Sequence, residues 1–445
     1  MEESSILGGK GGRRIDQKDE IRVNQFRPWH IVLFIVLMAF ALRLFLILQP
    51  EVIHNDGTEY VRHAKEVLAG NWMGGKSSPL YPALIALVYN FTKNYELAGI
   101  WISVIFAALL VVPVFFLAKA IFNEKVGIIS ALLAAVHPFL YMYSGSVLTE
   151  SIYHFLIVTS VLFGWYAFSE GKFYHVLLFS LFASLTFLTR PEGIGFLFVF
   201  CVWVLLVNPP ESQRGWMKRV GIILLSVFCF LVFSSPYLIQ LRKELGEWQI
   251  SKKSIISIGS ISEENTDLEA AASKEKINFT VFLKDPLAFT GKIGIGILKS
   301  FYKFQQVFHP ILFLLAVVCW IKIFRMKSPH TFKSNLYVLS HHVFFFALVL
   351  PIFWVIRRYA SHMISISIPW AAFGFLQVMA WSHRWIERER LRRRVSLFLL
   401  ILLLSGLFIQ GMVIHPREHR VIQKDAGLWM KENLPGGGKV MSSRP

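Results

Sequence analysis

The sequence predicts an all-α integral membrane protein, a polytopic bundle of about eleven transmembrane helices with interfacial helices in its first outer loop. Three observations predict it. Of 445 residues, 55% are hydrophobic and only 17% charged, where soluble domains carry about 25%, and the mean hydropathy is +0.52. Eleven stretches approach or reach the roughly 20 apolar residues needed to cross a bilayer core of about 30 Å. The 46 Lys and Arg against 28 Asp and Glu give a net charge of +18, concentrated on alternate short loops. That distribution is explained by membrane topology, and no nucleic-acid partner is expected.

In order, the spans are Trp29–Gln49, Glu96–Phe122, Val126–Tyr143, Val147–Phe168, Phe173–Leu188, Gly193–Val207, Val220–Leu241, Val307–Phe324, Leu336–Ile356, Met363–Trp381 and Val395–His415. Residues 1–28 are polar and too long for the approach to a signal peptide, so they read as a disordered cytoplasmic tail. That tail and the loops 119–125, 169–175, 208–219, 322–333 and 382–394 hold 22 Lys and Arg, whereas the short loops between them hold three. The positive-inside rule then puts the amino terminus in the cytoplasm of a multi-pass cell-membrane protein. Eleven spans put the carboxyl terminus outside, with the long loops 50–95 and 242–306. The transmembrane catalytic domain is 29–415, and 416–445 begins an outer domain.

Any chemistry is therefore expected on the outer face. No G-x-x-x-x-G-K-[ST] phosphate loop occurs, which argues against ATP-driven transport by this chain alone. Cys201, Cys229 and Cys319 lie inside apolar stretches and read as core thiols. No HExxH pattern is present and His341-His342 falls mid-span, so no metal ligands are assigned.

The segment 54–70 follows the first span and reads as a short interfacial helix, with Val61, Ala64, Val67 and Leu68 on its apolar side and Glu59, Arg62 and Glu66 on its polar side. Gly70 is placed to stop it. Asp56 stands at its start, where it is either a helix cap or a general base toward an acceptor hydroxyl or amine. Pro79–Tyr89 is apolar but short, and is expected to re-enter or lie flat.

Ionisable groups at span ends are costly and few. Glu150 opens the fourth span, as a dipole-matched acid or a functional one. Arg190 occupies a tight outer turn before Pro191, and Arg357-Arg358-Tyr359 precedes Pro369; each arginine either snorkels or binds a phosphate. Arg43, two turns below the outer end of the first span, is expected to face the bundle. If the helices cluster, two carboxylates and several arginines share one outer cavity. A guanidinium there neutralises charge on a departing lipid phosphate, and a carboxylate deprotonates the nucleophile.

In the order of these features the chain resembles the GT-C polyprenyl-phosphate-sugar-dependent glycosyltransferases, the group of the protein O-mannosyltransferases and the lipid A aminoarabinose transferase. The resemblance rests on Asp56, Tyr60, Ala64 and Glu66 after the first span, on Pro79-Leu80-Tyr81-Pro82, on Thr149-Glu150, on the turn from Thr189 to Gly193, and on Arg358-Tyr359 leading to Pro369. It implies an inverting transfer of sugar from a polyprenyl phosphate to a lipid, protein or glycan acceptor, with membrane lipids around it. Asp56 is then the base and Glu150 a supporting acid, while Glu59, Tyr60, Arg190, Arg357, Arg358 and Tyr359 contact substrate. Two departures stand out. Gly57 follows Asp56 where many relatives have a second acid, so that acid's role falls to Glu59 or Glu150, or is absent, which leaves metal dependence open and no cofactor assigned. The end of the chain, from Trp429, resembles the beginning of an outer domain and then stops. The outer loop 242–306, with its amphipathic Phe279–Phe289, is expected to form a lid. The rival readings are a transporter or flippase of a lipid-linked sugar, which needs no base, and a noncatalytic scaffold.

Overall fold

A computed structural model describes residues 28–47, 52–72, 77–208, 215–252, 286–326, 328–352, 355–413 and 418–433, and among them there is no β-strand. The amino-terminal half comprises α1 (Pro28–Ile47), α2 (Asn55–Leu68), α3 (Leu80–Thr92), α4 (Tyr95–Leu109), α5 (Val111–Ile121), α6 (Glu124–Val136), α7 (Pro138–Ser144), α8 (Glu150–Glu170) and α9 (Phe173–Thr189). The rest comprises α10 (Ile194–Leu206), α11 (Trp216–Leu245), α12 (Pro286–Phe308), α13 (Pro310–Arg325), α14 (Pro329–Phe344), α15 (Arg357–Ala360), α16 (Ile364–Ser382), α17 (Glu389–Val413) and α18 (Glu418–Asn433). The expected tail lies outside the described residues except for Pro28; of the expected lid, 242–306, residues 253–285 lie outside them, while its two ends are helical, in α11 and α12.

Each of the eleven expected stretches is helical, but the span count differs. Seven helical runs are long and apolar enough to cross a bilayer, or up to nine if each of two bent pairs is one span. The shortfall lies in α9 and in the run Pro191–Leu206, short apolar helices. The 17 residues of α9 rise only about 25 Å, less than a hydrocarbon core. The eighth expected span is α13, which turns by 111° from the helix before it. The cause is local, because Pro310 cannot continue a helix and His309 has φ 73°. Proline also explains the 52° bend between α6 and α7 at His137-Pro138.

Arg43 does face the bundle. It is fully buried and its Nη1 donates to the carbonyls of Ala39 at 3.0 Å and Ala135 at 2.9 Å. The second acceptor lies in the last turn of α6, where the carbonyls lack intrahelical donors and the dipole is negative. A neighbouring helix therefore supplies the cap that Pro138 interrupts.

Two apolar cores hold the chain together. The larger runs through the bundle, and the smaller joins α2 and α3 to α4, to the turn before α8 and to the start of α8 through Tyr60, Ala64, Val67, Tyr81, Ile85, Ile102, Val147, Leu148 and Ile152. The face that α2 buries is Gly57, Tyr60, His63, Ala64 and Val67. This is rotated from the expected stripe, with Leu68 exposed, because the aromatic body of Tyr60 packs edge-on against Tyr81 at 5.2 Å and so claims the core side. Gly70, at φ +85°, follows the helix end as expected.

His63 ties the first loop together. Its Nε2 donates to the carbonyl of Trp72 at 3.0 Å and its Nδ1 accepts from the Ser77 hydroxyl at 2.8 Å. Burial pushes this imidazole below the usual histidine range, so the folded protein keeps it neutral. The unfolded chain takes up that proton near pH 6.5, so stability present above that pH is lost as the pH falls toward the depressed folded value. Thermal unfolding followed from neutral pH to about 5.5 should show a falling Tm, and the fall should be smaller in His63→Gln.

Candidate active site

The site lies where α2, the start of α8, the turn after α9 and α15 meet. Asp56 is the second residue of α2, and the cap is His54, whose Nδ1 accepts from the Asp56 N–H at 3.2 Å. The carboxylate of Asp56 is thus not the capping group; its Oδ2 accepts from Nη1 of Arg358. Nε of the same guanidinium donates to Oε1 of Glu150. Glu150 Oε1 also accepts from Nη1 of Arg190 at 3.2 Å, and Nε of Arg190 lies 3.8 Å from Glu192. One continuous ion network therefore links residues 56, 150, 190, 192 and 358.

Exposure is graded across this network. The Glu150 side chain is 0% exposed, Arg190 10%, Arg358 16% and Asp56 40%. The buried end is rigidly partnered, and the Asp56 end faces solvent. Aromatic rings frame the arginines, with Tyr153 5.6 Å and Tyr359 5.0 Å from the Arg190 guanidinium, an arrangement that holds a planar cation by its face. Tyr60 is buried beside Arg358 and Asp56. Burial pushes its phenol up to about 12, with Arg358 opposing and Asp56 reinforcing the shift, so it stays a neutral donor.

The expected site residues divide on this geometry. Asp56, Tyr60, Glu150, Arg190, Arg358 and Tyr359 converge. Glu59 instead pairs with Arg62 at 2.7 Å on the outer side of α2, and Arg357 is exposed and donates from Nε to Gln306 at 2.9 Å. Three neighbours went unassigned in the sequence: Tyr153 and His154, one turn along α8 from Glu150, and His362, one turn beyond Arg358. Their rings adjoin one another, Tyr153 and His154 lying 4.8 and 6.2 Å from His362. The i, i+3 and i, i+4 spacing from the two charged residues was the available signal. Among the described residues no group of three or more His, Cys, Asp or Glu is placed to hold a metal ion.

Gly57 explains how α2 comes so close. A β-carbon there would stand 2.7 Å from Ile53 Cγ1 and 2.9 Å from the Val147 carbonyl oxygen. The missing side chain lets the helix carrying Asp56 sit against the backbone that leads into Glu150. Gly57→Ala should push the two apart, costing about 1–3 kcal/mol of stability, to be read as a lower midpoint of thermal unfolding in detergent than that of wild type.

Comparison with known proteins identifies the fold. The model of the dolichyl-phosphate-mannose-protein mannosyltransferase family matches residues 76–239, rather more than a third of the chain. The oligosaccharyltransferase of Archaeoglobus fulgidus superposes with a TM-score of 0.56 at 14% identity, over 92% of this chain and 56% of that one. ArnT from Cupriavidus metallidurans superposes with a TM-score of 0.54 at 14% identity, over 84% of this chain and 63% of that one. The fold is GT-C. No curated protein matches by sequence. The chain spans between half and two thirds of the length of these two GT-C neighbours. Within its GT-C bundle the ion network sits at the junction of the first loop with the helices that the family model covers and with α15 beyond them.

Proposed function

We propose that this chain is a membrane glycosyltransferase that moves a sugar from a polyprenyl phosphate carrier to a lipid, protein or glycan acceptor on the outer face of the cell membrane, with the amino terminus in the cytoplasm. The observation that carries the reading is the Asp56–Arg358–Glu150–Arg190 network, which sets a solvent-facing carboxylate beside two guanidiniums in a bundle of this fold. Support also comes from two solved neighbours, described with dolichol-phosphate and undecaprenyl phosphate bound.

In this reaction Asp56 accepts the proton of the acceptor hydroxyl or amine as its lone pair attacks the anomeric carbon. The bond from that carbon to the phosphate oxygen breaks on the opposite side, so the configuration inverts. The leaving polyprenyl phosphate gains negative charge, and Arg358 and Arg190 stabilise it more strongly than they did the ground state. Glu150 keeps both guanidiniums in place.

The test is transfer from a radiolabelled polyprenyl phosphate sugar to endogenous acceptors in membranes that contain or lack this chain. Label should move to an acceptor only where the chain is present, with polyprenyl phosphate released. Label that crosses the bilayer still attached to its lipid would instead identify a transporter and sink the reading. The anomeric configuration of the product checks inversion.

A further inference from the structure

Both guanidiniums of the site are already engaged: Arg358 donates to Asp56 and Glu150, and Arg190 donates to Glu150 with Glu192 3.8 Å from its Nε. A polyprenyl phosphate sugar is itself an anion, and its product carries more charge still. An anion that these half-buried arginines are to hold beside three carboxylates needs a guanidinium to change partners.

The geometry says which carboxylate yields. Glu150 is wholly buried and shared by both arginines, so it has no water to turn to, and its withdrawal would take an acceptor from two guanidiniums at once. Asp56 is 40% exposed and stands in the first turn of α2, where solvent and the positive helix end support its negative charge. Arg358 is held on a helix of only four residues, and its Nη2 is buried with no hydrogen-bond partner among the described residues.

Building on the transferase reading, we infer that Asp56 and the donor phosphate compete for Arg358. Before donor binds, Arg358 clamps Asp56 in an ion pair. The donor phosphate takes over the Nη1 position, and Asp56, no longer clamped by Arg358, can receive the acceptor's proton. The base is thus released only when a sugar donor is seated, which withholds it from water and acceptor at an empty site.

The test measures binding of undecaprenyl phosphate, with undecaprenol as the neutral control, to the full chain in lipid nanodiscs. Wild type, Asp56→Asn, Arg358→Met and the double variant are compared. Removing the competitor should tighten phosphate binding by Asp56→Asn about three- to tenfold, although the same variant loses transfer. Arg358→Met should weaken binding, and in its background Asp56→Asn should give no gain, since the two effects share one partner. Unchanged or weaker binding by Asp56→Asn, or a full gain persisting without Arg358, overturns the competition. Where Arg358→Met does not fold, Arg358→Gln takes its place and is read the same way, because it keeps a polar side chain and removes the charge for which the two anions compete. A wild type that prefers the phosphate while Asp56→Asn changes nothing defeats the competition and leaves the transferase reading standing. A wild type with no preference for phosphate over alcohol defeats both.

Discussion

Asp56→Asn should lower sugar transfer by about 10²–10⁴-fold, the usual worth of a positioned general base. The substitution keeps the shape of the side chain and leaves the His54 cap of α2 untouched, since the cap uses the backbone N–H of residue 56 rather than its carboxylate. Fold and membrane insertion should therefore survive, and the loss should appear in turnover. The measurement is initial rate against donor concentration for purified wild type and variant, matched by size-exclusion profile. A rate within about threefold of wild type would mean that Asp56 is only a partner for Arg358, and the base would then be sought elsewhere.

Glu150→Ala should be the most destabilising single substitution in the site. Its carboxylate is fully buried and accepts from both Arg190 and Arg358, and removing one member of a buried charge cluster costs about 3–5 kcal/mol, here because two guanidiniums lose their shared buried acceptor. Glu150→Gln retains an acceptor oxygen and should lose less. Glu59→Gln offers the contrast, as Glu59 pairs with the exposed Arg62, and pairs of that kind contribute about 0–1 kcal/mol. Thermal unfolding in detergent should order the three as Ala at 150, then Gln at 150, then Gln at 59, the last close to wild type. Equal midpoints for Glu150→Ala and Glu59→Gln would contradict the buried network.

Much of the architecture could be read without coordinates because apolar length is a local property. Every expected span is helical, and the excess of the expected count over seven to nine arises where a stretch is apolar but too short, as at Phe173–Thr189. Breaks were harder to place. The turn at His309-Pro310 depends on where the chain must go next, and a proline in an apolar run signals either a kink or a helix start with equal force. The rotated face of α2 has a similar origin, since Tyr60 and His63 count as polar in a stripe yet are buried once Tyr81, Trp72 and Ser77 supply partners.

The sequence by itself determined the helical membrane class, the order of the spans and the few charges that the bundle has to accommodate, because burying an ionisable group near a membrane is expensive enough to make each one conspicuous. It could not separate Arg358 from Arg357, or Glu150 from Glu59. Neighbours in a motif point to different sides of a helix, and only packing decides which side meets the site. The tertiary structure made that choice by bringing α15 across to α2 and α8, over 302 residues from Asp56 to Arg358. A glycine at 57, which in the sequence marked only a missing second acid, made the close approach possible, because only a residue without a β-carbon fits against the Val147 carbonyl.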